Sequence, residues 1–140
     1  MARSERGSIT PLLIFFCFLG LTVICVVVAA TSLYIERKRL FTVADGAALA
    51  ATEQFDLAEL SQEDGQLVVR LTQAEVANAA AEYLIDSTPA PAVRLLRADA
   101  PDGRSARVSI AGEWAPPILS ELLPWRLTLE ATATARTVFR

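Results

Sequence analysis

Apolar and polar positions divide the chain into three stretches with different periods. In the first, "RGSITPLLIFFCFLGLTVICVVVAATSLYIE", no side chain between Arg6 and Glu36 is ionisable except the neutral Cys17, Cys25 and Tyr34. As a helix rising about 1.5 Å per residue, this run exceeds the roughly 30 Å hydrocarbon core of a bilayer. A soluble domain of this size has too little apolar surface to bury such a helix on all sides. A cleaved signal is the second reading, since Val28 and Ala30 have the small-residue spacing of a cleavage site. Its apolar core is nevertheless longer than the about 7 to 15 residues usual for secretion signals. A retained membrane helix is therefore the expectation. Ser8 or Thr10 would cap it, Pro11 would lie in its first turn, and Tyr34, Glu36, Arg37, Lys38 and Arg39 would mark its interface and exit into water.

In the second stretch, "LFTVADGAALAATEQF", Leu40, Val43, Ala47, Ala51 and, slightly off line, Phe55 recur at steps of three or four. That period predicts that the membrane helix continues as an amphipathic one, from about Pro11 to about Phe55, with any bend near Asp45-Gly46. "EDGQLVVRL" offers a turn at Asp64-Gly65 and then a short strand or the approach to another helix. Thr72 to Glu75 reads as a capping box opening a helix with Val76, Ala80, Tyr83 and Leu84 on its apolar side, ended by Pro89 and Pro91.

The period then changes to two. "AVRLLRAD" is a strand, "PDG" a turn, and "RSARVSIAGEW" alternates with Ala106, Val108, Ile110 and Gly112 on one side. After the loop "PPILSELLP", the segment from Trp125 to Val138 alternates again, with Leu127, Leu129, Ala131, Ala133, Ala135 and Thr137 on the side of Trp125. The predicted fold is α+β. A tail (1–8), a transmembrane helix (9–35) and its extramembrane continuation (36–60) precede a small extracytoplasmic domain (61–140) of one helix and a three-stranded antiparallel sheet.

Charge refines this plan. Residues 1–40 carry five Lys/Arg against two Asp/Glu, and residues 41–140 carry eight against fourteen, so the domain is acidic and nucleic acid is not an expected partner. Cations flank the span on both sides and leave its direction open; the long C-terminal part favours an extracytoplasmic domain. Cys17 and Cys25 are about 12 Å apart along a helix, too far to bridge. The chain has no His, which removes the commonest general base and most zinc sites. Asp56, Glu59, Glu63 and Asp64 form an acidic group without EF-hand spacing, and no Gly-rich phosphate loop follows a strand. No feature argues for an enzyme, a cofactor, a metal site or a small-molecule substrate.

The stretch "ERGSITPLLIFFCFLGLTVICVVVAATSLYIERKRLFTVADGAALAAT" resembles the N-terminal signature of the TadE/TadG-like proteins of Flp (tight adherence) pilus assembly. The resemblance covers residues 5–52. It is weaker over "ARVSIAGEW" and "LTLEATATARTVF", and nothing in residues 53–104 is similar. It implies a single-pass, pilin-like protein of the bacterial cell envelope that assists a pilus or a type II secretion-like machine, with membrane lipid and other membrane proteins of that system as partners. The matching residues are Gly7, the exit cluster, and Asp45 with Gly46. Gly7 corresponds to a prepilin cleavage position, but Leu12 stands where prepilins have Glu, which argues against processing there. The alternative is an anchored extracytoplasmic binding domain unrelated to pili.

The small residues around Asp45, Gly46, Ala47, Ala48 and Ala51 add little hydrophobic stabilisation but permit close backbone approach. Their partner is either the Ala-lined last strand of the same chain or a helix of another subunit.

Overall fold

The computed structural model describes residues 9–53, 60–63, 66–69, 71–87, 93–118, 120 and 124–136. Helix α1 runs unbroken from Ile9 to Glu53, about 68 Å at the standard rise. It crosses the charged exit without reversal and passes straight through Asp45-Gly46. One glycine in a helix costs about 1 kcal/mol relative to alanine, and the buried alanines Ala44, Ala47 and Ala48 around Gly46 hold the helix in the core. Phe55, where the apolar stripe was expected to end, lies outside the described residues, and Leu60 already belongs to a strand.

β1 (Leu60–Glu63) and β2 (Gln66–Val69) form an antiparallel hairpin. "LSQE" carries no alternating signal, so only β2 was legible as a strand; the Asp64-Gly65 turn lies outside the described residues. Helix α2 (Gln73–Ser87) begins at the predicted capping box. The Thr72 N–H donates to Glu75 Oε2 at 2.8 Å, the Thr72 hydroxyl donates to the same oxygen at 2.7 Å, and the Glu75 N–H reaches Thr72 Oγ1 at 3.4 Å. Pro89 and Pro91 lie outside the described residues.

β3 (Val93–Asp99), β4 (Ser105–Trp114) and β5 (Leu127–Arg136) make the predicted antiparallel sheet in the order β3-β4-β5. The register slips between Leu95 and Arg97. This irregularity moves the inward side of β3 from Val93 and Leu95 to Ala98, and leaves Leu96 exposed. At the β3–β4 turn Gly103 adopts φ 67°, which glycine reaches without steric cost. Asp102 closes the turn, its Oδ1 accepting from the N–H groups of Arg104 at 3.0 Å and Ser105 at 2.6 Å.

The C-terminal half of α1 and one side of α2 cover one face of the sheet, with α1 against β4, β5 and α2, and α2 also against β3. The core joins Leu40 and the alanines of α1 to Val76 and Ala80 of α2, and to Val108, Ile110, Ala131 and Ala133 of the sheet. Alternation in β4 holds at Ala106, Val108, Ile110 and Gly112, but Ala111 is buried as well. In β5, Ala131 and Ala133 are buried and Leu129 and Ala135 partly so, whereas Leu127 is exposed. Trp125 lies ahead of the strand and is 72% exposed. The apolar side of β5 is thus uncovered at its first end.

Candidate functional site

Two features of α1 carry the predicted site residues. The first is its small-residue face. Ala44, Ala47, Ala48 and Ala51 are fully buried, and Leu40 is nearly so. Because a methyl group is all that projects from each alanine, the Ala131 and Ala133 stretch of β5 and the Ala79 and Ala80 stretch of α2 approach the helix closely. The face is therefore occupied by the chain's own sheet and second helix. The approach is close at Gly46: a Cβ placed there would meet the Tyr83 hydroxyl oxygen first and stand 2.6 Å from Tyr83 Cζ and 3.0 Å from Tyr83 Cε1. The Tyr83 ring lies over the backbone of α1 where no other residue type leaves room. Asp45, one step round the helix, faces solvent.

The second feature is the charged collar. Tyr34 is 62% exposed and the Lys38 ammonium lies 5.9 Å from its ring centre, as does the Arg37 guanidinium from the ring of Phe41. Arg39 and Glu36 pair at 3.6 Å. Below the collar, the Trp114 indole N–H donates to Ser32 Oγ at 3.2 Å, tying the end of β4 to the span. On the outer side of the same hairpin end, Arg126 donates to Glu113 Oε2 at 3.0 Å. Sequence reasoning missed this second anchorage, because nothing in the alternation of β4 shows which way its last residue reaches.

The window of α1 that is apolar enough to cross a membrane has 0% of its residues buried by the rest of the chain. Two of its hydroxyls are satisfied within the helix, Thr22 donating to the Phe18 carbonyl and Thr31 to that of Val27, each at 2.8 Å. Cys17 and Cys25 are free thiols. Among the described residues no group of three or more His, Cys, Asp or Glu could hold a metal ion. Asp56, Glu59 and Asp64 lie outside the described residues, as does Gly7, and so does the side chain of Glu63.

These features define a class: an α+β protein built on one long helix, whose first half is a candidate membrane span and whose second half is the spine of a small domain. Residues 7–54 match the family described as "Putative Flp pilus-assembly TadE/G-like". The matched segment coincides almost residue for residue with α1, covering both the span and the alanine face. No curated protein and no solved structure matches the chain.

Proposed function

We propose that this chain is a membrane-anchored, non-enzymatic component of Flp pilus assembly or of a related secretion machine in the bacterial envelope, with α1 in the cytoplasmic membrane and its acidic domain outside. The observation that carries the reading is the family match over α1, the element that holds both the apolar span and the packing face. The domain occupies its own alanine face, so partner helices meet the exposed span instead. Phe15, Phe16, Leu19 and Val23 present apolar surface there, and Gly20 has nothing within 4 Å of where a Cβ would stand. The span holds no acid, so the role is that of an assembly or minor component rather than a subunit polymerised through a buried Glu and a freed amine.

Mild detergent extraction followed by co-purification tests this. Recovery with a pilus subunit or with the membrane platform of the secretion machine supports the reading, and deletion of the gene is expected to reduce surface pili. Recovery as a lone monomer, with piliation intact, refutes it. The second reading, an anchored binding domain, draws on the open edges of β3 and β5 in the described sheet, where an extended peptide adds as a further strand. Binding of such a peptide with piliation unaffected would favour it.

A further inference from the structure

The connection between β4 and β5 lies alongside the span rather than above it. Pro116, Pro117 and Ile118 face Phe18, Thr22, Cys25 and Ala29 across a crevice of about 360 Å³. Measured along α1 from Glu36, those helix positions lie roughly 10 to 27 Å down the axis at the standard rise. That range belongs to the stretch of α1 without charges.

The composition of the connection fits such a depth. Between Ala115 and Trp125 the one ionisable side chain is Glu121. Backbone donors are the main obstacle to an irregular segment in hydrocarbon, and Pro116, Pro117 and Pro124 have none. The Ser120 N–H is satisfied by the Pro116 carbonyl at 2.9 Å. Exposed apolar side chains follow the same line: Ile118 is 48%, Leu127 49% and Trp125 72% exposed, although alternation puts Leu127 and Trp125 on the inward side. The base of the connection has interfacial chemistry, with Trp114 held to Ser32 and the Glu113–Arg126 pair on the outer side.

We propose that the β4–β5 connection is a second membrane-contacting element: its described residues from Ala115 to Ile118 enter the hydrocarbon region beside α1, and a lipid acyl chain fills the crevice between them. The occupant is lipid because the crevice opens from the candidate span itself and is walled by apolar side chains at the same depth. The inference rests on the membrane-anchor reading. The loop ties the domain to the bilayer at a second point and so restricts tilting of the domain on its stalk.

The test is spin-label accessibility in the full chain, reconstituted at one copy per lipid nanodisc, with Cys17 and Cys25 replaced by alanine. Labels are placed singly by Ile118→Cys, Ser120→Cys, Val23→Cys and Asp102→Cys. The expected result is loss of relaxation by a water-soluble nickel complex and strong relaxation by oxygen at both loop positions, as at Val23 and opposite to Asp102. Nickel relaxation at both loop positions with Val23 shielded overturns the inference and leaves the anchor standing. Nickel relaxation at Val23 as well overturns the anchor reading. Shielding of the loop labels from both reagents means that protein covers the segment, which also overturns the inference. The unchanged emission of Trp114 and Trp125 confirms that each labelled variant keeps the hairpin.

Discussion

Replacing Gly46 by alanine tests the packing of the domain on α1 where the Tyr83 ring meets the helix backbone. In an exposed helix this change stabilises by about 1 kcal/mol, because glycine loses more backbone freedom on folding. Here the new methyl would stand 2.6 Å from Tyr83 Cζ, well inside contact distance. The Tyr83 ring must swing away from α1, and overpacking of this kind typically costs about 1 to 3 kcal/mol. The net change is a loss of about 0 to 2 kcal/mol, the difference between those two terms. For a domain of this size each kcal/mol moves the melting temperature by roughly 4 to 8 °C. Thermal unfolding of the full chain in detergent, followed by tryptophan emission, reads this directly. The sharper quantity is the double-mutant cycle with Tyr83→Ala. Once the ring is gone, Gly46→Ala is expected to raise the melting temperature by about 4 to 8 °C, the helix-propensity gain alone. A coupling of about 1 to 3 kcal/mol between the two sites follows. The same effect of Gly46→Ala with and without the Tyr83 ring would refute the reasoning.

The alanine face gives a second expectation: Ala47→Leu overpacks the α1–sheet contact and lowers stability by about 1 to 3 kcal/mol. Unchanged melting with lost co-purification would instead assign that face to a partner. Thr72→Ala removes the hydroxyl of the capping box and is expected to cost about 1 kcal/mol, seen as a lower melting temperature and faster amide exchange in the first turn of α2. The carboxyl of Asp102 is held below its ordinary pKa, chiefly by the backbone N–H of Arg104 and further by the hydroxyl and N–H of Ser105. A depressed folded-state pKa contributes stability above the unfolded value that is lost as pH falls through the folded one. Melting temperature is therefore expected to fall on acidification below the usual carboxylate range, with a shallower slope in Asp102→Asn. Orientation is read with an impermeant thiol reagent on intact cells: Arg107→Cys, on the solvent side of β4, is expected to label. Ser105 is unsuitable for this, being buried and bonded to Asp102.

The long helix, the capping box and the three strands were legible because each follows from local periods: uninterrupted apolarity, steps of three or four, and strict alternation. Thr72 and Glu75 meet as their spacing requires, and Val108 and Ile110 point inward as alternation requires. What was not legible depends on contacts distant in sequence. Asp45-Gly46 reads locally as a turn, and only the Tyr83 ring, supplied by another helix, explains why glycine stands in mid-helix. "LSQE" becomes a strand through its partner β2 rather than through a pattern of its own. The alanines of the helix admit either partner, and the Ala-lined last strand favours the chain's own sheet. The sheet resolved the choice, since Ala131 and Ala133 fall opposite them once β4 and β5 take their register.

The same logic accounts for the misplaced expectation at the start of β5. Alternation assigns Trp125 and Leu127 to the inward side, and in a soluble sandwich that side would be covered. Burial also requires something to pack against, and α1 at that level presents Ser32 and the apolar span instead of the alanine face. Leu127 pairs with Trp114, whose indole already reaches Ser32, so the inward side of the sheet ends where the span begins. An apolar position whose covering element changes from protein to membrane keeps its pattern and loses its protein neighbours. Under the proposed anchorage, exposure of Trp125 and Leu127 is the expected signature of a sheet that reaches the membrane surface, and the depth of the labels at Ile118 and Ser120 in the β4–β5 connection decides whether it goes further.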